Sequence, residues 1–188
     1  MKLPLVIVLS LLVCGCSVKQ TTQVNSNKFI DIQQFFKDEV SRMSEAQTGL
    51  FKRTRMDTTT NSDSVLNPDW EKELFAFLDI NIKPAVWKTD FTQVDTHDDP
   101  NETATVYTTT NPNQKVRTFK LELNPDSTIQ RFTAEIIEQG KIASSVTGLS
   151  YTQNVGYTIK VDRTTKIMGS ESYQIVGQFI TNKKVNNK

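Results

Sequence analysis

The chain has 188 residues, 22 Lys and Arg against 21 Asp and Glu, and 37% apolar residues. That length accommodates one domain, or at most two small ones, with a real core. A net charge of +1 leaves no basic footprint for nucleic acid and no acidic tail. One His and two Cys are too few for a tetrahedral Cys/His zinc centre.

Residues 1–13 begin Met-Lys and continue as an almost wholly apolar run from Leu3 to Val13. Those are the dimensions of a secretory signal, and the run is too short for a spanning helix of about 20 residues. An ordinary signal would favour an Ala-x-Ala-like cleavage site, and none is present. Val13-Cys14-Gly15-Cys16 instead resembles the lipobox of bacterial lipoproteins. The resemblance implies cleavage after residue 15 and lipid, palmitate included, on Cys16; Cys14 fits less well, because bulky Val13 precedes it. Several acyl chains, at about 0.8 kcal/mol per buried methylene, would make such an anchor effectively permanent. Ser17 stands where an Asp retains many lipoproteins in the inner membrane, and no acidic cluster follows Cys16. The resemblance therefore implies the outer membrane, with the domain facing the periplasm rather than the cell surface.

Residues 16–27 comprise the lipidated Cys and a polar, nearly uncharged tether; its 11 residues after Cys16 would reach on the order of 18 Å as a coil. A domain is expected over 28–180. Phe29, Ile32, Phe36, Val40 and Met43 recur at helical spacing, which predicts a helix ending before Gly49 and starting at Asp31, Ser26 or Asn27. Leu50–Met56 reads as either strand or loop, and 57–64 has loop chemistry. A second helix is expected after Asn67 as N-cap and Pro68 in the first turn, buried through Trp70, Leu74, Phe77 and Leu78, and ended before Pro84.

From Trp87 onward the period becomes two. Phe119-Leu121-Leu123, Phe132-Ala134-Ile136, Tyr157-Ile159-Val161 and Tyr173-Ile175-Gly177-Phe179 alternate with polar residues, as in half-buried antiparallel strands. With weaker strands near 86–94, 102–110 and 142–151, about seven are expected. The predicted class is α+β: two N-terminal helices packed on a curved antiparallel β-meander, followed by a fraying tail over 181–188.

Catalytic chemistry finds little support. His97 is the sole histidine and must serve any Ser-His-Asp triad, but it falls in a hydrophilic segment, 95–102, expected as a loop. Asp95, Asp98, Asp99, Asn101 and Glu102 offer oxygen ligands there without the EF-hand spacing. The strand carboxylates Glu122, Glu135 and Asp162 alternate away from the apolar face, an arrangement expected to leave them wet rather than poised as acids. No cofactor and no metal are expected.

Asp57-Thr58-Thr59, Asp63-Ser64-Val65 and Asp126-Ser127-Thr128 resemble the O-glycosylation motif of periplasmic Bacteroidota proteins, which implies acceptors at Thr58, Ser64 and Ser127 in loops. The same dipeptides are ordinary turn formers. Asp69-Trp70, Glu73-Leu74, Phe77, the run from Asp79 to Trp87, and Ser172 to Gln178 look like small uncharacterised lipoproteins of that phylum, a likeness that bears on location and fold rather than on chemistry. The leading expectation is a non-enzymatic, lipid-anchored binding or scaffolding domain at the outer membrane, with a protein, glycan or lipid partner and no nucleic acid. The alternative is a carrier of an apolar ligand or lipid, in a pocket lined by Tyr157, Ile159, Tyr173, Ile175 and Phe179 and not filled by Phe29, Phe36, Trp70 and Phe77. A hydrolase ranks third.

Overall fold

The computed structural model describes residues 30–80, 82, 84–99 and 102–181, with the backbone alone at 84, 85, 88, 95–99, 102 and 103. The expected leader over 1–15, Cys16, the expected tether, Phe29, Asn101 and residues 182–188 lie outside the described residues.

Chain order is α1 (Ile32–Glu45), β1 (Gly49–Met56), β2 (Thr59–Val65), α2 (Trp70–Glu73), α3 (Phe75–Leu78), α4 (Pro84–Asp90), β3 (Thr92–Asp99), β4 (Glu102–Thr108), β5 (Val116–Leu123), β6 (Ile129–Gln139), β7 (Ala143–Thr152), β8 (Gly156–Thr165) and β9 (Gly169–Ile180). Among the described residues the strands form one nine-stranded sheet in the order β2-β1-β9-β8-β7-β6-β5-β4-β3. Every neighbouring pair is antiparallel. Strands β3 to β9 are a meander, and the β1–β2 hairpin extends it beyond β9.

Nine strands replace the expected seven because both halves of the ambiguous 50–66 segment pair. Asp57 takes a left-handed φ of 49°, which closes a two-residue turn, and Thr59–Val65 then pairs along β1 from Leu50↔Val65 to Met56↔Thr59. Loop-like composition yields here to the free edge of β1 and to β-branched Thr.

The helices also differ from expectation. Helix α1 is capped by Asp31, whose carboxylate accepts from the Gln34 N–H at 2.9 Å. The second helix begins after Asp69, not Asn67: the Asp69 carboxylate accepts from the Lys72 N–H, so Pro68 precedes the cap. Leu74, at φ −98° and ψ 12°, divides it into α2 and α3. A strand was expected near 86–94; residues 84–90 instead form α4, opened by Pro84 at the favoured first position. Burial of Trp87 against Phe119 and Tyr107, with ring centroids 4.9 and 5.1 Å away, accompanies that choice. The acidic segment 95–102, expected as a loop, has Asp95–Asp99 in β3 and Glu102 in β4. None of the described residues forms a helix long and apolar enough to cross a membrane.

Candidate functional site

Directly paired residues of an antiparallel sheet share a face, so the register sorts the inner face into rows. One row runs Leu121, Phe132, Tyr151, Tyr157, Gly177 and Lys52. The next runs Phe119, Ala134, Leu149, Ile159, Ile175 and Thr54, and beyond it Ile136, Thr147, Val161, Tyr173 and Met56. The last row holds Glu138, Ser145, Arg163 and Glu171. Composition passes from aromatic to charged along the strands, which gives the face a closed end and an open end.

At the closed end the helices fill the face. Phe36 of α1 lies 4.9 Å from Phe77, 5.5 Å from Phe132 and 5.2 Å from Tyr151, centroid to centroid. Trp70 stands edge-on to Phe179 at 5.5 Å, and Phe77 to Tyr157 at 6.2 Å. Gly177 is required here, because a Cβ at that position would overlap the Tyr157 ring.

Two polar latches cross this aromatic layer. Glu39, on the buried stripe of α1, accepts from the Tyr151 hydroxyl, from Arg42 at 2.7 and 2.8 Å, and from Gln153 at 3.4 Å. Glu73 of α2 accepts from the Tyr157 hydroxyl at 2.6 Å and from Lys52 at 2.8 and 3.0 Å. Tyr151 and Tyr157 are register partners on β7 and β8, so adjacent strands each hold a different helix through a phenol and a carboxylate. Burial by itself would raise the Glu39 pKa, but the hydrogen bonds from Arg42 and Tyr151, the Arg42 charge and Gln153 together hold it below the usual carboxylate value. Burial first, and the facing carboxylate second, push both tyrosines far above the ordinary phenol value. Shifted groups often mark catalytic centres, yet these are saturated by partners within the protein and sealed by Phe36 and Phe77, so they hold the fold.

The open end is bare. Glu138, Ala143, Ser144, Ser145, Thr147, Val161, Arg163 and Tyr173 line a hollow of about 330 Å³. A second, of about 460 Å³, adjoins it through Glu138 and Ala143 and is bounded by Lys115, Arg117 and the turn at 112–114. Lys115 pairs with Glu138 at 2.6 Å, Arg163 with Glu171 at 3.7 Å, and Arg117 donates to the Asn111 carbonyl at 2.6 Å. Hydroxyls, one tyrosine ring and both charge signs can hold a hydrogen-bonding ligand; among the described residues no nucleophile there is paired with a base. Among the described residues no cluster of His, Cys, Asp and Glu could hold a metal.

The residues singled out from sequence are dispersed. Thr58 occupies the exposed β1–β2 turn, and Ser127 the β5–β6 turn with a φ of 68°. Ser64 was expected in a loop but is exposed on the edge strand β2, because that segment pairs with β1. The side chains of His97, Asp95, Asp98, Asp99 and Glu102 lie outside the described residues, as does Cys16. Glu135 is exposed, and Asp162 is exposed beside Lys160 and Ser172. Glu122 corrects the expectation of wet strand carboxylates: it is buried between Lys120 at 3.1 Å and Arg131 at 2.9 Å. Sequence reading missed the two latches. The available signal was a Glu at position 39, on the stripe of Ile32, Phe36 and Met43, where a surface residue has no place.

No family model matches this chain, and no curated protein or solved structure matches it.

Proposed function

We propose that the protein is a lipid-anchored binding or scaffolding domain of the outer membrane, held by Cys16 and facing the periplasm, without catalytic activity. The observation that carries the binding reading is the bare open half of the inner face, where Tyr173, Arg163, Ser145 and Thr147 surround an open hollow. A polar ligand with several hydrogen-bonding groups suits this lining better than an apolar one. The lipid-anchored part rests on Val13-Cys14-Gly15-Cys16.

The carrier alternative needs apolar space between helices and sheet. Phe36, Trp70 and Phe77 are fully or almost fully buried at the closed end of that interface; Trp70 packs against Phe179 and Phe77 against Tyr157, two residues that were to line its cavity.

Two measurements test the proposal. Labelled palmitate is expected on the wild-type chain in a bacterial host and absent from Cys16→Ser; equal labelling overturns the anchor. A photo-crosslinking residue at Thr147 is expected to capture a partner in cell envelopes, whereas one at Thr158 on the outer face captures none. Capture at neither position, or equally at both, overturns the binding face. Intact mass of the same material tests Thr58, Ser64 and Ser127: a mass of polypeptide plus lipid alone removes glycosylation.

A further inference from the structure

The open end carries a second feature that the hollow does not use. Turns 140–142 and 166–168 join β6 to β7 and β8 to β9. Because β7 and β8 are neighbours, the two turns abut, and the Lys166 N–H donates to the Ile142 carbonyl at 3.1 Å. At this shared tip Ile142, Ile167 and Met168 expose 67%, 87% and 86% of their surface. They serve no core, since the core lies at the opposite end of the same strands. Scattered single apolar residues on a surface are unremarkable, but three large ones gathered on adjoining turns are a patch.

Charge identifies the occupant. Lys141 and Lys166 belong to the same two turns, and among the described residues neither has a carboxylate within ion-pair distance. The turns of the closed end, 124–128 and 153–155, contain no cation and one Asp. An apolar tip bearing uncompensated ammonium groups matches the boundary of an anionic bilayer, where isoleucine and methionine enter the acyl edge and lysine stays at headgroup depth.

We propose that the paired tips of the β6–β7 and β8–β9 hairpins dock the open end onto an anionic lipid surface through Ile142, Ile167 and Met168, with Lys141 and Lys166 at the headgroups. The inference extends the lipid-anchored reading without resting on it, because the patch exists whether or not Cys16 is acylated. Docking would set the hollow close to the membrane.

The test uses the full chain with Cys14→Ser and Cys16→Ser, and Ile167→Cys carrying an environment-sensitive fluorophore; a second protein carries the label at Asn154→Cys in the closed-end turn. Both are mixed with vesicles of phosphatidylcholine, with and without phosphatidylglycerol. A blue shift, and quenching by lipids with nitroxides in the acyl region, are expected at position 167 only with phosphatidylglycerol, and not at 154. Replacing Lys141 and Lys166 by Gln is expected to weaken this response about fivefold for each lysine. An aqueous spectrum at 167 with anionic vesicles overturns the proposal, as does an equal response at 154, which would report an apolar leader lying on the vesicle. A response to native envelopes but to neither protein-free vesicle also overturns it, and assigns the tip to a protein partner. Loss of the Cys16 anchor in the palmitate experiment leaves all these outcomes readable.

Discussion

The two ends of the inner face use the same strands to opposite purposes. At the closed end, the two carboxylates that enter the aromatic layer arrive with their partners: Glu39 with Tyr151 and Arg42, Glu73 with Tyr157 and Lys52. Further along the strands, Tyr173, Arg163 and Glu138 face a hollow, where Arg163 meets exposed Glu171 at 3.7 Å and Glu138 meets exposed Lys115. Burying polar groups stabilises a fold only when their hydrogen bonds are complete. The closed end meets that condition and is thereby committed to structure. The open end leaves its polar groups able to meet something else.

This contrast can be broken most forcefully at Phe36. Phe36→Ala empties the centre of the ring cluster and is expected to lower unfolding free energy by about 3–5 kcal/mol in denaturant titration; a loss below 1 kcal/mol would mean that the closed end is not a packed core. Glu39→Ala follows, at about 2 kcal/mol, because the buried Tyr151 hydroxyl loses its acceptor; Tyr151→Phe in the same background is expected to recover part of that loss.

Titration sharpens the comparison further. The tyrosine pKa values are raised in the folded state, so the contribution of both latches is complete below the ordinary phenol value of 10.0 and declines as pH rises beyond it. Stability measured from pH 8 to 11 is expected to fall above about 10, with a shallower fall in the Tyr151→Phe, Tyr157→Phe double variant. Glu39 is lowered, so its contribution is present above its ordinary value of 4.5 and is lost in acid, a limb that Glu39→Gln should flatten. The smallest effect is at the open end. Arg163→Ala removes an exposed pair at 3.7 Å and is expected to change stability by less than about 0.5 kcal/mol while abolishing crosslinking from Thr147.

Much of the sheet could be read from alternation alone. Phe119-Leu121, Phe132-Ala134, Tyr157-Ile159 and Tyr173-Ile175 occupy the strands their spacing suggests, because one face of each is buried and a register slip would expose it. Thr59–Val65 could not be read so, since every one of its residues except Val65 is exposed and its pairing is decided by the edge of β1. The run from Pro84 to Asp90 misled for the converse reason: Val86 and Trp87 suit a strand locally, but here a helix carries Trp87 into its contact with Phe119. Of the candidate site, Tyr173 was visible as an apolar strand residue. Its neighbours Arg163, Ser145 and Thr147 come from separate strands, and only the register brings them together.

The sequence by itself determined the hydrophobic period and therefore the antiparallel sheet, and the aromatic residues that form its core. Those are local patterns, legible because burial acts on each strand separately. Tertiary structure alone decided that β9 returns to pair with β1, that Glu39 and Glu73 meet Tyr151 and Tyr157 across the helix–sheet interface, and that the helices stop halfway along the face. Each depends on contacts between residues more than 80 positions apart, and no local period encodes which of two equally patterned strand ends a helix will cover.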